Sequence, residues 1–224
     1  KVYQRHLHVP DYFYAHSLHP IVTIVSGRGC PHTCVYCVYP QTFGGHKYRQ
    51  RTVNNVVDEM EYIEKNMPEV NEIMFEDDTF TIVPARVREI SEEYCKRGLS
   101  IPWTCNARAE VNRETLEAMA KANCRMMCVG FESGDQSMLN NMEKRIKLEK
   151  IHQFMKDSKE TGVMVHGCFL VGNPGETMKT LDTTLQMAKE LNPDTAQFFP
   201  IMVYPGTKAY DWAKANGYIQ AKTF

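Results

Sequence analysis

The 224-residue sequence lacks any long apolar run and any marked excess of one charge. No stretch approaches the roughly 18 consecutive apolar residues of a membrane-spanning helix, so no such helix is predicted. The 26 Lys and Arg residues nearly balance 27 Asp and Glu residues. The formal charge of −1 differs from the strongly positive field typical of nucleic-acid-binding domains. The sequence therefore disfavours both a membrane span and a nucleic-acid partner.

Features of secreted proteins are also scarce. Eight cysteines are too few, in a chain of this length, to indicate a disulfide framework. The opening residues KVYQRHLHVP are polar and lack the apolar segment of a signal peptide. The sequence therefore indicates a cytoplasmic protein with reduced cysteines. Its start at Lys1 instead of Met indicates a piece of a longer protein.

Strand and helix patterns alternate six times after Pro20, in units of roughly 30 residues. This alternation predicts parallel strands joined by right-handed crossovers, in a doubly wound sheet or a barrel. Short polar or Gly-rich groups follow the first five strands, which favours a barrel with its site at the C-terminal mouth. Six units are too few to close such a barrel. The predicted fold class is therefore α/β, a partial (β/α)6 TIM-type barrel with parallel strands.

Local signals place the individual elements. Asn112 is a good N-cap and Gly98 a good helix stop, and the spacing from Ser133 to Gln136 is that of a capping box. The expected strands are 21–25, 72–75, 101–105, 125–129, 163–171 and 195–203. The expected longer helices are 52–65, 84–97, 112–122, 148–161, 177–191 and 207–216.

The segment 1–19 precedes this pattern and differs from it in composition. Four of the eight histidines lie in it, and their spacing fits no metal-binding motif. Pro10 interrupts any helix there. We expect residues 1–19 to form an extended linker or arm lying over the domain, and residues 20–224 to form the core domain.

Three cysteines are concentrated in one loop, Cys30-Pro-His-Thr-Cys34-Val-Tyr-Cys37. A structural zinc site needs four ligands, and His32 and His46 are the nearest additional candidates. A fully ligated iron–sulfur cluster also needs four cysteines. Three thiolates would instead leave one iron of a four-iron cluster without a protein ligand, which is the open position that a catalytic metal site needs.

Four further cysteines lie in predicted strands. A buried free cysteine behaves as a small hydrophobic residue, so we expect these four to be core residues. Cys124 and Cys128 repeat the CxxxC spacing, but residues four apart on a strand are separated by about 13 Å and make poor joint ligands. The four expected core cysteines are Cys105, Cys124, Cys128 and Cys168.

The CxxxCxxC motif follows the first strand and has Tyr36 just before its third cysteine. In this it resembles the radical S-adenosylmethionine (SAM) superfamily, whose core is a partial (β/α)6 barrel. The resemblance covers about residues 20–218. Three later segments are similar to that family's segments, in the same order: Phe75-Glu-Asp-Asp-Thr-Phe80, Gly130-Phe-Glu-Ser-Gly134 and Gly167-Cys-Phe-Leu-Val-Gly-Asn-Pro-Gly-Glu176.

The finer resemblance is to members fused to an N-terminal cobalamin-binding domain, which often carry Asp-Asp after the second strand where the wider family has Gly-Gly-Glu. The segments Glu-Asp-Asp-Thr-Phe-Thr and Trp-Thr-Cys-Asn-Ala-Arg, together with the cysteine loop, are similar to hopanoid-biosynthesis-associated radical SAM proteins. No Asp-x-His-x-x-Gly segment of a cobalamin module occurs in the chain. The resemblance therefore implies that any cobalamin is bound by a domain preceding residues 1–19.

The resemblance implies a [4Fe–4S] cluster and SAM as cofactors. Cys30, Cys34 and Cys37 would hold three irons, and the amino and carboxylate groups of SAM would chelate the fourth. One electron would then cleave SAM to methionine and a 5′-deoxyadenosyl radical, which abstracts a substrate hydrogen atom. The barrel would supply orientation and shielding.

The same resemblance implies contacts to SAM from residues at the strand ends. Asp78, and beside it Asp77, would accept hydrogen bonds from the ammonium group. Glu132 would accept hydrogen bonds from the ribose hydroxyls, and Arg108 would bind the carboxylate group.

Three more residues complete the predicted cofactor site. Tyr36 would pack beside the cluster and shield it. Gly172 and Glu176 belong to the segment that would back the adenine, although a carboxylate at Glu176 is equally typical of a helix start.

The resemblance implies a small-molecule or lipid substrate, with a hopanoid favoured, and an electron donor such as flavodoxin or ferredoxin. Methyl transfer, cyclisation and rearrangement are all open. One alternative is an iron–sulfur electron carrier or sensor, with His32 or His46 as the fourth ligand and no SAM pocket. Another is an RNA-modifying enzyme similar to methylthiotransferases, which the neutral charge disfavours.

Overall fold

The computed structural model describes residues 2–42 and 44–220. Six strands form one sheet in which every neighbouring pair runs parallel. The prediction of an α/β fold with parallel strands is confirmed. In sheet order the strands are β1 (Ile21–Ile24), β4 (Glu72–Phe75), β5 (Trp103–Arg108), β6 (Cys124–Glu132), β7 (Met164–Val171) and β8 (Thr195–Pro200). A separate antiparallel ribbon joins β2 (Gly27–Arg28) to β3 (Arg49–Gln50).

Helices separate the strands of the sheet along the chain, as the alternation predicts. Asn112 caps its helix through a side-chain hydrogen bond from the Thr115 N–H, as expected. None of the helices in the described ranges is long and apolar enough to cross a membrane. The helices are α1 (Val2–His6), α2 (Val53–Asn66), α3 (Pro84–Lys96), α4 (Arg113–Lys121), α5 (Gln136–Asn141), α6 (Leu148–Thr161), α7 (Met178–Leu191) and α8 (Lys208–Ala215).

Several strand ends and one helix cap differ from the predictions, and β8 ends at Pro200, three residues before the predicted end. β5 runs to Arg108 and β6 to Glu132, so these side chains lie on strands and not in the loops that follow. The helix α5 is capped by Asp135, whose carboxylate accepts two backbone N–H groups of the first turn. The capping box predicted to begin at Ser133 is wrong, because the Ser133 hydroxyl bonds instead to Thr184 of α7 at 3.0 Å.

The main core lies between the sheet and the helices α2, α3, α4, α6 and α7. At its centre the Trp103 ring meets Phe75 edge-on with centroids 5.5 Å apart, and Phe80 lies 4.5 Å from Phe75. The Trp103 Nε1–H donates to the Ala122 carbonyl at 2.6 Å, so its polar atom is satisfied. This cluster fixes β4 against β5 and therefore positions the acidic residues that follow β4.

Two of the four expected core cysteines are not core residues. Cys105 and Cys124 are buried, as predicted. Cys128 and Cys168 are only partly buried and lie outside the main core, with Sγ atoms 3.6 Å apart. The prediction is wrong for this pair because both face away from the helices that cover the other side of β6 and β7.

The end of the segment before β1 contacts residues near the N-terminal ends of β4 and β6, through Leu18 and His16. The segment contains α1 and a single 3-10 turn at Val9–Asp11, so the expected extended conformation is wrong there. Pro10 is the second residue of that turn. At this position a backbone N–H has no partner within the turn, so the missing N–H of proline loses no hydrogen bond. Lys1 and residues 221–224, the outer ends of the predicted segments 1–19 and 20–224, lie outside the described residues. The boundary between these two segments stays a prediction.

A buried carboxylate fixes this segment to the sheet. Glu72 accepts hydrogen bonds from Arg125 Nε at 2.8 Å and Nη2 at 3.0 Å, and from the Leu18 N–H. The Thr104 hydroxyl donates to the same carboxylate, and Arg125 also donates to the His16 carbonyl. Because a buried charge is stable only when paired and hydrogen-bonded, this network determines where the segment lies.

Candidate active site

The three clustered cysteines lie in the loop between β2 and β3. The antiparallel ribbon pairs Gly27 with Gln50 and so holds the two ends of the loop together. In the middle of the loop, the Val35 N–H donates to the Met142 carbonyl at 3.0 Å, and the Val35 side chain packs against Met138 and Met142. The loop is therefore attached to the domain at its ends and at its centre.

A buried network holds the base of this loop. The two carboxylate oxygens of Asp77 accept the Ser26 N–H at 2.6 Å and the Ser26 hydroxyl at 2.7 Å. Arg86 donates to the Ser26 carbonyl at 3.0 Å. Burial raises the pKa of Asp77, and the hydrogen bonds from Ser26 oppose this effect. Both oxygens of Asp77 are thus engaged within the protein, which favours a positioning role; its binding to a SAM ammonium group stays a prediction.

Asp78 contacts the loop beside its first cysteine. Its Oδ2 accepts the Gly29 N–H at 3.0 Å. The same oxygen would lie only 2.8 Å from a Cβ atom placed on Gly44. Asp78 is partly exposed, unlike the buried Asp77. Of the two aspartates predicted to bind the SAM ammonium group, Asp78 is therefore the one with a carboxylate that a ligand can reach.

Gly29→Ala is expected to lower the free energy of unfolding by about 3 kcal/mol and to loosen the cysteine loop. Gly29 has φ +91°, and an added Cβ would lie 2.4 Å from the Lys47 carbonyl oxygen. Gly45→Ala is the matched control, because Gly45 also has a positive φ but has open space around its Cβ position. That variant should lose only about 1 kcal/mol. Urea denaturation measures the free energy of unfolding of both variants. Equal losses in the two variants would contradict the steric argument.

The cysteines differ in exposure but are all free thiols. Cys30 is buried, whereas Cys34 and Cys37 are partly exposed and line a cavity of about 260 Å³. The Cys30 N–H donates to the Gly45 carbonyl at 3.1 Å, which fixes the start of the motif. Burial, together with the charges of the Cys34 and Cys30 thiolates, raises the pKa of Cys37 to about 11. Binding of a cation at these thiols therefore has to displace protons.

Arg108 lies against the same cysteines. Its Nη1 is 3.8 Å from the Cys34 Sγ atom, its Nε donates to Glu110 at 2.7 Å, and its Nη2 donates to the Lys144 carbonyl. All three nitrogens of the guanidinium are thus engaged. A guanidinium has five N–H donors, so two remain for a further acceptor such as a SAM carboxylate, and that role stays a prediction. The geometry places a permanent positive charge beside a candidate iron ligand.

Tyr36 and Glu132 are hydrogen-bonded to each other, and Lys144, which the sequence pattern does not indicate, binds the same glutamate. The Tyr36 hydroxyl donates to Glu132 Oε1 at 2.8 Å, and Lys144 Nζ donates to the same oxygen at 2.7 Å. Both charged side chains are buried, so each neutralises the other. Burial and the Glu132 charge raise the pKa of Tyr36 well above its ordinary value. Within the described ranges both of these donors go to Oε1 and not to Oε2, and the predicted contact of Glu132 with the ribose hydroxyls stays a prediction.

The turn after β7 is closed by its own residues. Glu176 Oε2 accepts the N–H groups of Gly172 and Asn173. The Glu176 Oε1 and Asn173 Oδ1 atoms are buried without a hydrogen-bond partner among the described residues. Two unsatisfied acceptors in the same turn are suited to a donor group of a ligand. The predicted contact of Gly172 and Glu176 with adenine stays a prediction.

Backbone strain is concentrated around the cysteine loop. Glu132, Glu143 and Arg145 all have positive φ, at 66°, 52° and 55°, a conformation that costs side-chain-bearing residues energy. Glu143 and Arg145 line the cavity beside Cys34 and Cys37, and Glu132 bonds to Tyr36. Such strain persists only where the surrounding contacts determine the backbone, and it is common at functional sites.

These residues fit a cofactor with three protein ligands. Thiolates are the ligands of iron–sulfur clusters, and all three thiols are free and lie on one loop. Ser26, Arg86 and Lys144 also position this loop, and the sequence pattern does not indicate them. Nothing in their local sequence signals such a role, because their partners lie 12 to 108 positions away along the chain.

Comparison with known proteins connects this site to a family. A family model described as the Radical SAM superfamily matches residues 24–188. The chain is 33% identical, over 88% of its length, to an uncharacterized methyltransferase of Pyrococcus horikoshii. It is 32% identical, over 80%, to the anaerobic magnesium-protoporphyrin IX monomethyl ester cyclase of Rubrivivax gelatinosus, and 24% identical, over 88%, to the hopanoid C-3 methylase of Methylococcus capsulatus. The matches cover 43%, 32% and 38% of those proteins, so the chain spans less than half the length of each.

Among solved structures, the fold is similar to that of TsrM, a radical S-adenosylmethionine methyltransferase from Kitasatospora setae with cobalamin and a [4Fe-4S] cluster bound. The TM-score is 0.77 at 22% identity, and the match covers 84% of this chain and 36% of that chain. This likeness confirms the predicted partial TIM-type barrel. The matched family region contains all three loop cysteines and every strand of the sheet except most of β1 and all of β8. The predicted resemblance is confirmed: the chain belongs to the radical SAM superfamily.

Proposed function

We propose that this chain forms the core of a radical SAM enzyme. Cys30, Cys34 and Cys37 would hold a [4Fe–4S] cluster, and SAM would bind beside them. The observation that carries the proposal is the loop of three free thiols, held by buried contacts at its base, in a chain of this family. When bound, the cluster supplies the electron that cleaves a carbon–sulfur bond of SAM and so begins radical chemistry on the substrate.

Of the side chains around the cysteine loop, some position the loop and others would bind SAM. Asp77 positions the loop through Ser26, and Asp78 is the proposed acceptor for the SAM ammonium group. Glu132, held by Lys144, presents Oε2 to the ribose. Tyr36 orients Glu132, and its high pKa keeps its hydroxyl protonated as a donor.

We propose an organic substrate of small-molecule or lipid type. Support comes from the similarity to a hopanoid methylase and to a tetrapyrrole cyclase, which together leave methyl transfer and cyclisation as the two favoured reactions. Cobalamin would be held by a separate domain, and a flavodoxin or ferredoxin would supply the electron. Eight free cysteines fit a reducing, cytoplasmic compartment.

One observation favours an electron carrier or sensor as the second candidate. His46 lines the same cavity as Cys34 and Cys37, and its Nδ1 lies 3.2 Å from the Cys30 carbonyl oxygen. An imidazole in that position is suited to serve as a fourth ligand, which would close the cluster to SAM.

The two candidates are separated by anaerobic reconstitution with iron and sulfide, followed by electron paramagnetic resonance of the reduced protein. The enzyme proposal predicts about four irons per chain and a signal that changes when SAM is added. His46→Ala should leave both the iron content and the SAM effect intact. A signal indifferent to SAM, and altered by His46→Ala, would instead establish the electron carrier.

A further inference from the structure

A second group of thiols and imidazoles lies on β6 and β7, apart from the cysteine loop. His166 and Cys168 are two residues apart on β7 and therefore share one face of the sheet. Cys128 of β6 pairs in register with His166. The Cys128 and Cys168 Sγ atoms are 3.6 Å apart. Two sulfur ligands and one nitrogen ligand thus converge from two neighbouring strands.

The fourth residue of this group is His16, which lies in the segment before β1. The His16 ring stacks on His166, with centroids 4.8 Å apart and an interplanar angle of 17°. One ligand atom from each of His16, Cys128 and His166 lies within 4.8 Å of the other two. The His16 Nε2 atom is buried and has no hydrogen-bond partner in the described part of the chain. A buried imidazole nitrogen without a partner is costly, unless something binds it.

The position of His16 is fixed independently of this group. Its carbonyl accepts a hydrogen bond from Arg125, and the Leu18 N–H two residues later donates to Glu72. His166 Nδ1 lies 2.7 Å from the Thr195 hydroxyl, which orients the ring and occupies Nδ1, so we take Nε2 as the ligand atom of this residue. The ligands are therefore held in place by contacts that a bound ion does not have to supply.

The strand register argues against a disulfide between the two cysteines. Cys168 pairs with Gly130, two residues beyond Cys128, so the two cysteines are diagonal neighbours. Strands about 4.8 Å apart with a rise of about 3.3 Å per residue put their Cα atoms roughly 8 Å apart. A disulfide needs less than about 7 Å. By contrast, two thiolates about 2.3 Å from one tetrahedral zinc lie about 3.8 Å apart, close to the observed 3.6 Å.

We propose that His16, Cys128, His166 and Cys168 form a Zn²⁺ site that fastens the N-terminal segment to the inner face of the sheet. Two imidazoles and two thiolates are a tetrahedral donor set of the kind that selects zinc. Binding displaces the two thiol protons to solvent, and no bond within the protein is made or broken. The site is separate from the cysteine loop and does not depend on the proposed enzymatic function.

The test uses the full chain carrying Cys30→Ala, Cys34→Ala and Cys37→Ala, so that the cysteine loop cannot bind metal. Titration with Zn²⁺ against a chromophoric chelator is expected to show one ion per chain. Adding His16→Ala or Cys128→Ala should weaken binding by more than about 100-fold, beyond the loss typical of residues that only support a ligand. His19→Ala, in the same segment, and Cys95→Ser, an exposed free cysteine, are the matched controls and should bind zinc unchanged.

Amide hydrogen exchange provides a second measurement that does not rely on the Cys128 variant folding. Zn²⁺ should slow exchange in residues 12–18 of the triple variant, and His16→Ala should remove this protection while leaving α2 to α6 unchanged. Absence of stoichiometric zinc binding, or binding that survives His16→Ala, would overturn the proposal. A Cys128–Cys168 disulfide found by mass spectrometry in freshly purified protein would overturn it as well.

Discussion

Alanine at any one of Cys30, Cys34 or Cys37 is expected to abolish the [4Fe–4S] cluster and reductive cleavage of SAM. Each thiol would hold a different iron, and no other cysteine lies on this loop to replace it. Replacing a residue that merely supports a metal ligand costs about 10–100-fold in metal affinity or activity. Loss of a ligand itself should therefore exceed about 100-fold.

The measurement is iron per chain after anaerobic reconstitution, together with methionine formed from SAM under reducing conditions. Iron should fall from about four per chain to one or fewer. Cys95→Ser is the matched control, because Cys95 is an exposed free cysteine on α3, and its Sγ atom lies 3.5 Å from the Lys121 carbonyl oxygen, far from the loop in sequence. Circular dichroism checks that each variant is folded. A single-alanine variant that retains both the cluster and methionine formation would remove that cysteine from the site.

Glu72→Ala is expected to lower the free energy of unfolding by about 3 kcal/mol. The change removes one partner of a buried ion pair and leaves Arg125, whose side chain is 19% exposed, without its counter-charge. Breaking a buried pair in this way typically costs about 3–5 kcal/mol, and the residual exposure of Arg125 favours the lower end. For a chain of this size the melting temperature should fall by about 6–12 °C.

Two comparisons isolate the buried charge as the cause. Glu117→Ala breaks the exposed pair with Arg113 and should cost less than about 1 kcal/mol. The double variant Glu72→Leu with Arg125→Met removes both charges and should recover much of the loss, because no unpaired charge remains. Urea denaturation measures all three. A loss in Glu72→Ala no larger than that in Glu117→Ala would contradict the role given to this network.

Local chemistry made the helices and the cysteine loop predictable. Asn112 and Gly98 mark helix ends through short-range hydrogen bonding and backbone conformation, and the structure has Gly98 at φ +67° as expected. The three loop cysteines are close in sequence, so their convergence needed no knowledge of the fold. Helix caps and clustered metal ligands depend on residues that are close in sequence, so sequence patterns predict them.

The contacts that complete the site depend on the sheet register and could not be predicted. Asp77 reaches Ser26 across 51 positions, and its sequence neighbours give no sign that both of its oxygens are used there. The sequence predicts Cys128 and Cys168 as core residues, because strands buried on both faces do not show which face meets the helices. The residues of the inner and outer faces of a barrel are both apolar, so the sequence alone does not tell the two faces apart.

The strained backbone at Glu132, Glu143 and Arg145 affects how variants of this protein should be selected. Each of these residues occupies a conformation that costs about 1–2 kcal/mol for a residue with a side chain and almost nothing for glycine. Natural sequences keep such residues where activity outweighs thermostability. A directed-evolution campaign scored on heat resistance alone would enrich glycine or asparagine at Glu143 and Arg145, and it would discard two of the charges beside the cysteine loop. Glu132 would be kept, because losing its buried pair with Lys144 costs more than the strain.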